Sequence, residues 1–435
     1  MFLARLLVLF SLVCISCAHS SFEQKQLKHA LDFATSNRLE LEILLQHYTY
    51  DSLKLEAAKF LIRNMPHCYS YQQGGEMDSV KRVRTYYSPF GQIDQTYARR
   101  WGHYTYRNLP KIYDAHIITA EYLIDNIDRA FDNWQKRPWN RSLSFEDFCE
   151  YLLPYRIGDE PLEEWRELYE KKYGYLLDSI YKGSDVVEAA NLVSRHLQEP
   201  VFIYCEDFEL PHIGPRYLFS HRYGSCVDAA DIVTYAFRAV GIPCMEDTDA
   251  RGGHVWNVVR DTTGRDVPIW YIASEAVRGS RDTGGYKRGK VYRPMYGFQE
   301  EKAAHLGDDW KSMPLLFYHP YMKDVSYAYY PDTLRILTGI PDDEVCYLAH
   351  FHEAHWWSCA CARSASGKME IPNLESELVY LPIKYTKGNY YPSGFPFWFA
   401  GGEINTFLPD WEKTVKVRLY RKYPVYGWLR SFMGH

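Results

Sequence analysis

No block of like charge runs through this sequence: 50 Lys and Arg stand against 55 Asp and Glu over 435 residues, a formal net charge of -5. With no basic run and no RNA-binding motif, nucleic acid is excluded as an expected partner. Long apolar runs are equally scarce. Beyond the first segment nothing approaches the ~20 apolar residues of a membrane-spanning helix, so the rest of the chain is expected to form a globular body outside the membrane. Cys68, Cys149, Cys205, Cys226, Cys244, Cys346, Cys359 and Cys361 are too scattered for the dense framework of a small secreted scaffold. Internal repeats and low-complexity stretches are absent. Disorder is excluded by composition, at 46% hydrophobic and 24% charged residues. The length exceeds one ordinary core, which predicts two or three domains.

Aromatic residues are abundant instead, at 16% with 38 Tyr and 12 Trp, which suits large packed faces or surfaces that stack against sugars or peptides. The opening segment has a cation at Arg5, an apolar run from Leu6 to Ile15 and then small residues, the layout of a signal peptide. Ile15-Ser16-Cys17 resembles the lipid-attachment box of bacterial lipoproteins, with Cys14 where Leu is usual. The expectation is a signal peptide over residues 1–17 and an exported protein. It is held to a membrane only by lipid on Cys17, or else is cleaved near Ala18 or His19 and secreted.

Residues 22–184 read as a helical region. Leu27, Leu31, Ala34, Leu41, Leu44, Leu45 and Tyr48 recur at three- and four-residue steps, and Ile117 to Trp134 form another stripe. Ser144 with Asp147 predicts a capping pair, Pro161 sits where a first helical turn tolerates proline, and residues 71–110 read as loop-rich after Gly74-Gly75. A mixed core is expected over 185–293, with a helix from Asp185 to Leu197, a helix from Cys226 to Val240 stopped by Gly241, and a hairpin of His254 to Arg260 with Asp266 to Ile272. From 313 to 435 short β runs, Val345 to Phe351, Val379 to Tyr385 and Val415 to Tyr420, predict a β-sandwich. The fold class is α+β.

Chemistry concentrates in RYGSCVDAADIVTYAFRAVGIPC and the following GGHVWNVV. Ser225 can cap the helix, which sets Cys226 in its first turn, where unpaired N–H groups and the helix dipole favour a thiolate. His254, after two glycines and at the start of a strand, is the candidate base. Taken alone, a cysteine in an apolar helix is more often filler and a single histidine more often structural.

The pattern Gly224-Ser225-Cys226, then Arg238-Ala239-Val240-Gly241-Ile242-Pro243, then His254-Val255-Trp256-Asn257 resembles the core of the transglutaminase-like superfamily, over roughly fifty residues. That resemblance implies a papain-like core and attack on amide carbonyls through an acyl-enzyme, by hydrolysis or acyl transfer, without a cofactor. The family includes protein cross-linking enzymes, peptidases and peptide N-glycanases. A peptide or glycopeptide is the implied substrate. FEDFCEYLLPYRIGDEPLEEWR and VYLPIKY are similar to stretches of multidomain bacterial lipoproteins carrying this core. The family's third member is usually an Asp about fifteen residues after the histidine, where this chain has Ile269 and Trp270. Glu275 is the candidate in its place, with Asn257 and a backbone carbonyl as rivals.

Two other readings compete. His350, His352, His355, Cys359 and Cys361 could gather zinc ligands or form a local disulfide, although their spacing is not that of a zinc peptidase. Trp356, Trp357, Tyr390, Tyr391, Phe397, Trp398 and Phe399 could offer carbohydrate-stacking platforms on a catalytically degenerate scaffold.

Overall fold

The computed structural model describes residues 21–87, 106–199, 201–204, 210–251, 253–272, 274–281, 287–299, 313–337, 341–352, 355–410 and 412–413. The opening segment with Cys17 and the expected strand Val415 to Tyr420 lie outside them. The described chain is mixed α+β, helical first and β-rich later.

The helical layer holds α1 (residues 21–33), α2 (Arg38–His47), α3 (Ser52–Asn64), α4 (Gly75–Tyr87), α5 (Ala120–Lys136) and α6 (Phe145–Tyr151). Asp51, Thr119 and Ser144 cap α3, α5 and α6, each accepting a backbone N–H in the first turn. Leu41, Leu44, Leu61, Leu123, Ile127, Phe131 and Phe148 fill the space between these helices, as their periodicity requires. Tyr296 joins this core from the far side of the sequence, its hydroxyl donating to the Leu61 carbonyl at 3.0 Å across 235 residues.

Two expectations fail here. The loop-rich stretch contains α4, because Gly74 and Gly75, both at positive φ, start the helix rather than break it, and Met77, Val80 and Arg84 then bury one face. Pro161 opens no helix; residues 152–165 are irregular and α7 begins only at Arg166, running to Tyr175.

The centre is built around one helix. After α8 (Val186–Leu197), capped by Asp185, and α9 (Pro215–Ser220), α10 runs from Cys226 to Ala239 as the composition predicts, buried on nearly every side. Gly241 ends it at φ +81, where a Cβ would stand 2.8 Å from the Asn133 carbonyl oxygen. The Gly241 carbonyl in turn accepts from Trp139 Nε1 and Asn140 Nδ2. This helix lies on an antiparallel sheet of β3 (Cys244–Asp249), β4 (Val255–Arg260), β5 (Asp266–Ile269), β6 (Val291–Pro294) and β7 (Met322–Asp324) in the order β5-β4-β3-β6-β7; β1 (Tyr69–Tyr71) and β2 (Lys111–Tyr113) pair separately. The β4–β5 turn is tied by Asp261 Oδ1, which accepts from Thr263 and Arg265 N–H.

Towards the C-terminus, β8 (Leu334–Leu337) pairs with β11 (Lys368–Ile371), and six strands form one antiparallel sheet: β9 (Val345–His352), β10 (His355–Arg363), β12 (Leu378–Thr386), β13 (Asn389–Pro392), β14 (Phe397–Ala400) and β15 (Glu403–Thr406). Leu334, Met369 and Ile371 share one apolar cluster with Leu348, Tyr380 and Phe399.

Candidate active site

Cys226 is the first residue of α10. Ser225, in extended backbone, accepts the Val227 N–H, and the Asp228 carboxylate accepts the Ser225 N–H at 2.7 Å, a reciprocal capping box. Gly224 has φ +151, and a Cβ there would meet Asp228 Oδ2 at 2.2 Å, so only glycine admits the carboxylate this close. A bare carboxylate beside Cys226 would oppose a thiolate. Arg84 of α4 answers it, binding Asp228 at 2.7 Å with both side chains more than nine-tenths buried. The helix start therefore keeps its favourable field for an anion.

His254 immediately precedes β4. Asp249 N–H and Thr248 Oγ1 both donate to its carbonyl, and the Asp249 carboxylate ties the intervening loop by accepting Arg251 N–H, Gly253 N–H and the Arg251 guanidinium. Burial disfavours the charge on Asp249, yet Arg251, these N–H groups and His254 outweigh it and hold the carboxyl below its ordinary range. Asn257 pins α10 to β4, donating to the Ala230 carbonyl at 3.0 Å and Thr234 Oγ1 at 2.9 Å. Arg238, at the other end of α10, donates to Cys244, which pairs with Val259. The N-terminal end of α10, with Cys226, is thus directed towards the end of β4 that His254 opens. The alternation of β4 sends Asn257 to the α10 face, whereas the His254 ring lies with Trp256 (centroids 5.6 Å) and meets Trp270 edge to face at 4.7 Å.

The proposed third member sits elsewhere. Glu275 is half exposed and pairs with Arg195 at 2.6 Å, a surface ion pair, while Asn257 is committed to α10. Trp270, not an acid, packs against the imidazole. Arg84 and Asp249, which shape the surroundings of Cys226 and His254, gave no motif in the sequence.

A cavity of about 340 Å³ opens between the helical layer and the α10 sheet. Ser225, Val227 and Val255 line it; Cys226 and His254, their neighbours, are not among its described lining residues. On its wall His212 Nδ1 meets both carboxylate oxygens of Asp231 at 2.9 and 3.0 Å, and Thr234 Oγ1 donates to Glu246 at 2.7 Å. Burial pushes Asp231 up to about 6 and Glu246 up to about 8. His212 resists its own burial because Asp231 holds its ring protonated well above the ordinary histidine range.

Among the described residues no group of three or more His, Cys, Asp or Glu side chains is placed to hold a metal. Cys359 is a buried free thiol, so the Cys359–Cys361 disulfide is not formed. Of the candidate stacking platforms Trp356 and Tyr391 are exposed, whereas Trp357, Phe397 and Phe399 are core. No described helix is long and apolar enough to cross a membrane. Compared with family models, curated proteins and solved structures, the chain matches none.

Proposed function

We propose that this chain is an exported cysteine-nucleophile enzyme of the transglutaminase-like type, with a papain-like core and a C-terminal β-sandwich, acting on amide bonds of a peptide or glycopeptide. Cys226 attacks the carbonyl carbon as a thiolate, its proton having passed to His254, which gives it to the departing amine as the C–N bond breaks and leaves the acyl-enzyme. His254 then takes a proton from an incoming water or amine, whose attack breaks the thioester and releases Cys226 as the thiolate. The observation that carries the reading is Cys226 at the first position of a capped helix whose neighbouring carboxylate is neutralised by Arg84. Anchoring through lipid on Cys17 belongs to the same proposal, and Cys17→Ser should release the protein from membranes.

The pair is tested by iodoacetamide labelling of Cys226 against pH. Wild type should label with an apparent pKa below the ~8.5 of an ordinary thiol, and His254→Ala should slow labelling near neutral pH. Cys226→Ala should abolish mass changes in a panel of peptides and glycopeptides. A Cys226 that labels as an ordinary thiol in both proteins sinks the reading. A second reading, a binding protein on a degenerate core, is favoured by one observation: the His254 ring packs on Trp256 and Trp270, where an orienting acid would be needed.

A further inference from the structure

The cavity beside α10 is larger than packing alone requires and falls within the size range of ligand sites. Its walls divide by chemistry. Tyr69, Tyr71 and Tyr106 line one side, Tyr71 and Tyr106 meeting edge to face at 4.9 Å, while Arg156, Asp159, His212 and Glu246 line another. The wall charges are largely matched. Arg84 is bound to Asp228, Arg156 to Asp114, Asp247 to Arg293 and His212 to Asp231, and burial favours the neutral acid on Glu246. Arg238 and Asp159, one of each sign, have no such carboxylate or cation bound among the described residues. A charged ligand would surrender its hydration to a wall with little net charge to offer in return.

His212 carries the directional cue. Its backbone N–H is fixed by Asp159 at 2.9 Å and its Nδ1 by Asp231, and among the described residues Nε2 of this side chain, 22% exposed, has no hydrogen-bond partner. Gly158 packs against the same ring, close enough that a Cβ there would stand 2.4 Å from both Nε2 and Cδ2 and clash with it. Held protonated by Asp231, the ring presents Nε2–H as a charge-assisted donor.

We propose that this cavity is a binding site for a neutral saccharide, whose apolar face packs on the tyrosine wall and whose hydroxyls accept from His212 Nε2 and exchange hydrogen bonds with Asp159 and Glu246. Such a ligand combines an apolar face with many hydroxyls and no charge. A flat base fits less well, because the tyrosines stand edge to face and the rings of His67 and Tyr321 are stacked on each other at 3.5 Å. The proposal rests on the cavity and holds whether or not Cys226 reacts.

The test is a glycan array of neutral and charged saccharides probed with the purified full chain, followed by calorimetric titration of the strongest hit. Neutral glycans should bind. His212→Gln should weaken binding roughly tenfold or more, the scale of a lost charge-assisted hydrogen bond. Leu210→Trp, which narrows the cavity without removing a charge, should block it, and Cys226→Ala should leave it unchanged; circular dichroism checks that each variant folds. Binding of charged glycans alone, no glycan binding, or binding undiminished in folded His212→Gln and Leu210→Trp overturns the proposal. Cys226 labelling with a lowered apparent pKa but no glycan bound would defeat the cavity and spare the enzyme, and glycan binding with an ordinary Cys226 thiol would do the opposite.

Discussion

Arg84 and Asp228 form a pair whose separation is costlier than its presence is beneficial. Both are buried, so Arg84→Ala strands a carboxylate at the start of α10 and should destabilise the chain by about 3–5 kcal/mol, read from urea denaturation. It should also slow Cys226 labelling, because the bare charge opposes the thiolate. Glu275 behaves differently. Its bond to Arg195 is half exposed, where such pairs contribute ~1 kcal/mol or less, so Glu275→Gln should leave labelling rates and the unfolding midpoint essentially unmoved. The helix start at Cys226 and the strand start after His254 were legible, because glycine, serine and alternation mark them locally, whereas singling out these two side chains as a pair rested on the resemblance. Arg84 and Asp249 could not, since each acts through a pairing made by the fold.

α10 shows what an element reveals before folding. Its start, its apolar composition and its stop at Gly241 were all legible, because each follows from local backbone preference. Gly241→Ala should cost about 1–3 kcal/mol, since the position combines φ +81 with a carbonyl at 2.8 Å from any Cβ; the urea midpoint of the variant checks this. α4 was illegible for the opposite reason. Its burial depends on packing three residues against distant surfaces, and Gly74-Gly75 reads equally well as a turn or as the start of a helix. The C-terminal strands were found where apolar alternation is strong, while which strand pairs with which depends on register between distant segments.

At the scale of the whole molecule, several buried groups bind protons more tightly in the fold than in the unfolded chain. Burial pushes Glu150 up to about 7, Asp231 to about 6 and Glu246 to about 8, and Asp231 raises His212 despite its burial. With more protons bound in the native state, stability should fall as pH rises from about 4.5 to 8. Buried His67 and His350, lowered to about 3, oppose this trend up to the ordinary histidine range but are outnumbered by the four groups that gain protons. Carboxylates held low, such as Asp249 and Asp261, act in the other direction only below their ordinary range. The urea midpoint should therefore be higher at pH 5.5 than at pH 8, and Glu246→Gln should flatten that slope. A midpoint that rises across this interval would refute the assignment.

The bond from Tyr296 to Leu61 sets a timetable for assembly. The helical layer leaves the ribosome first, yet one ring of its core arrives 235 residues later. Closing so long a loop precedes any reward from the contact, so refolding should be slow beside that of an all-helical domain of local contacts. For as long as the last third of the chain is missing, the early helices have an interior lacking the one ring that Tyr296 supplies.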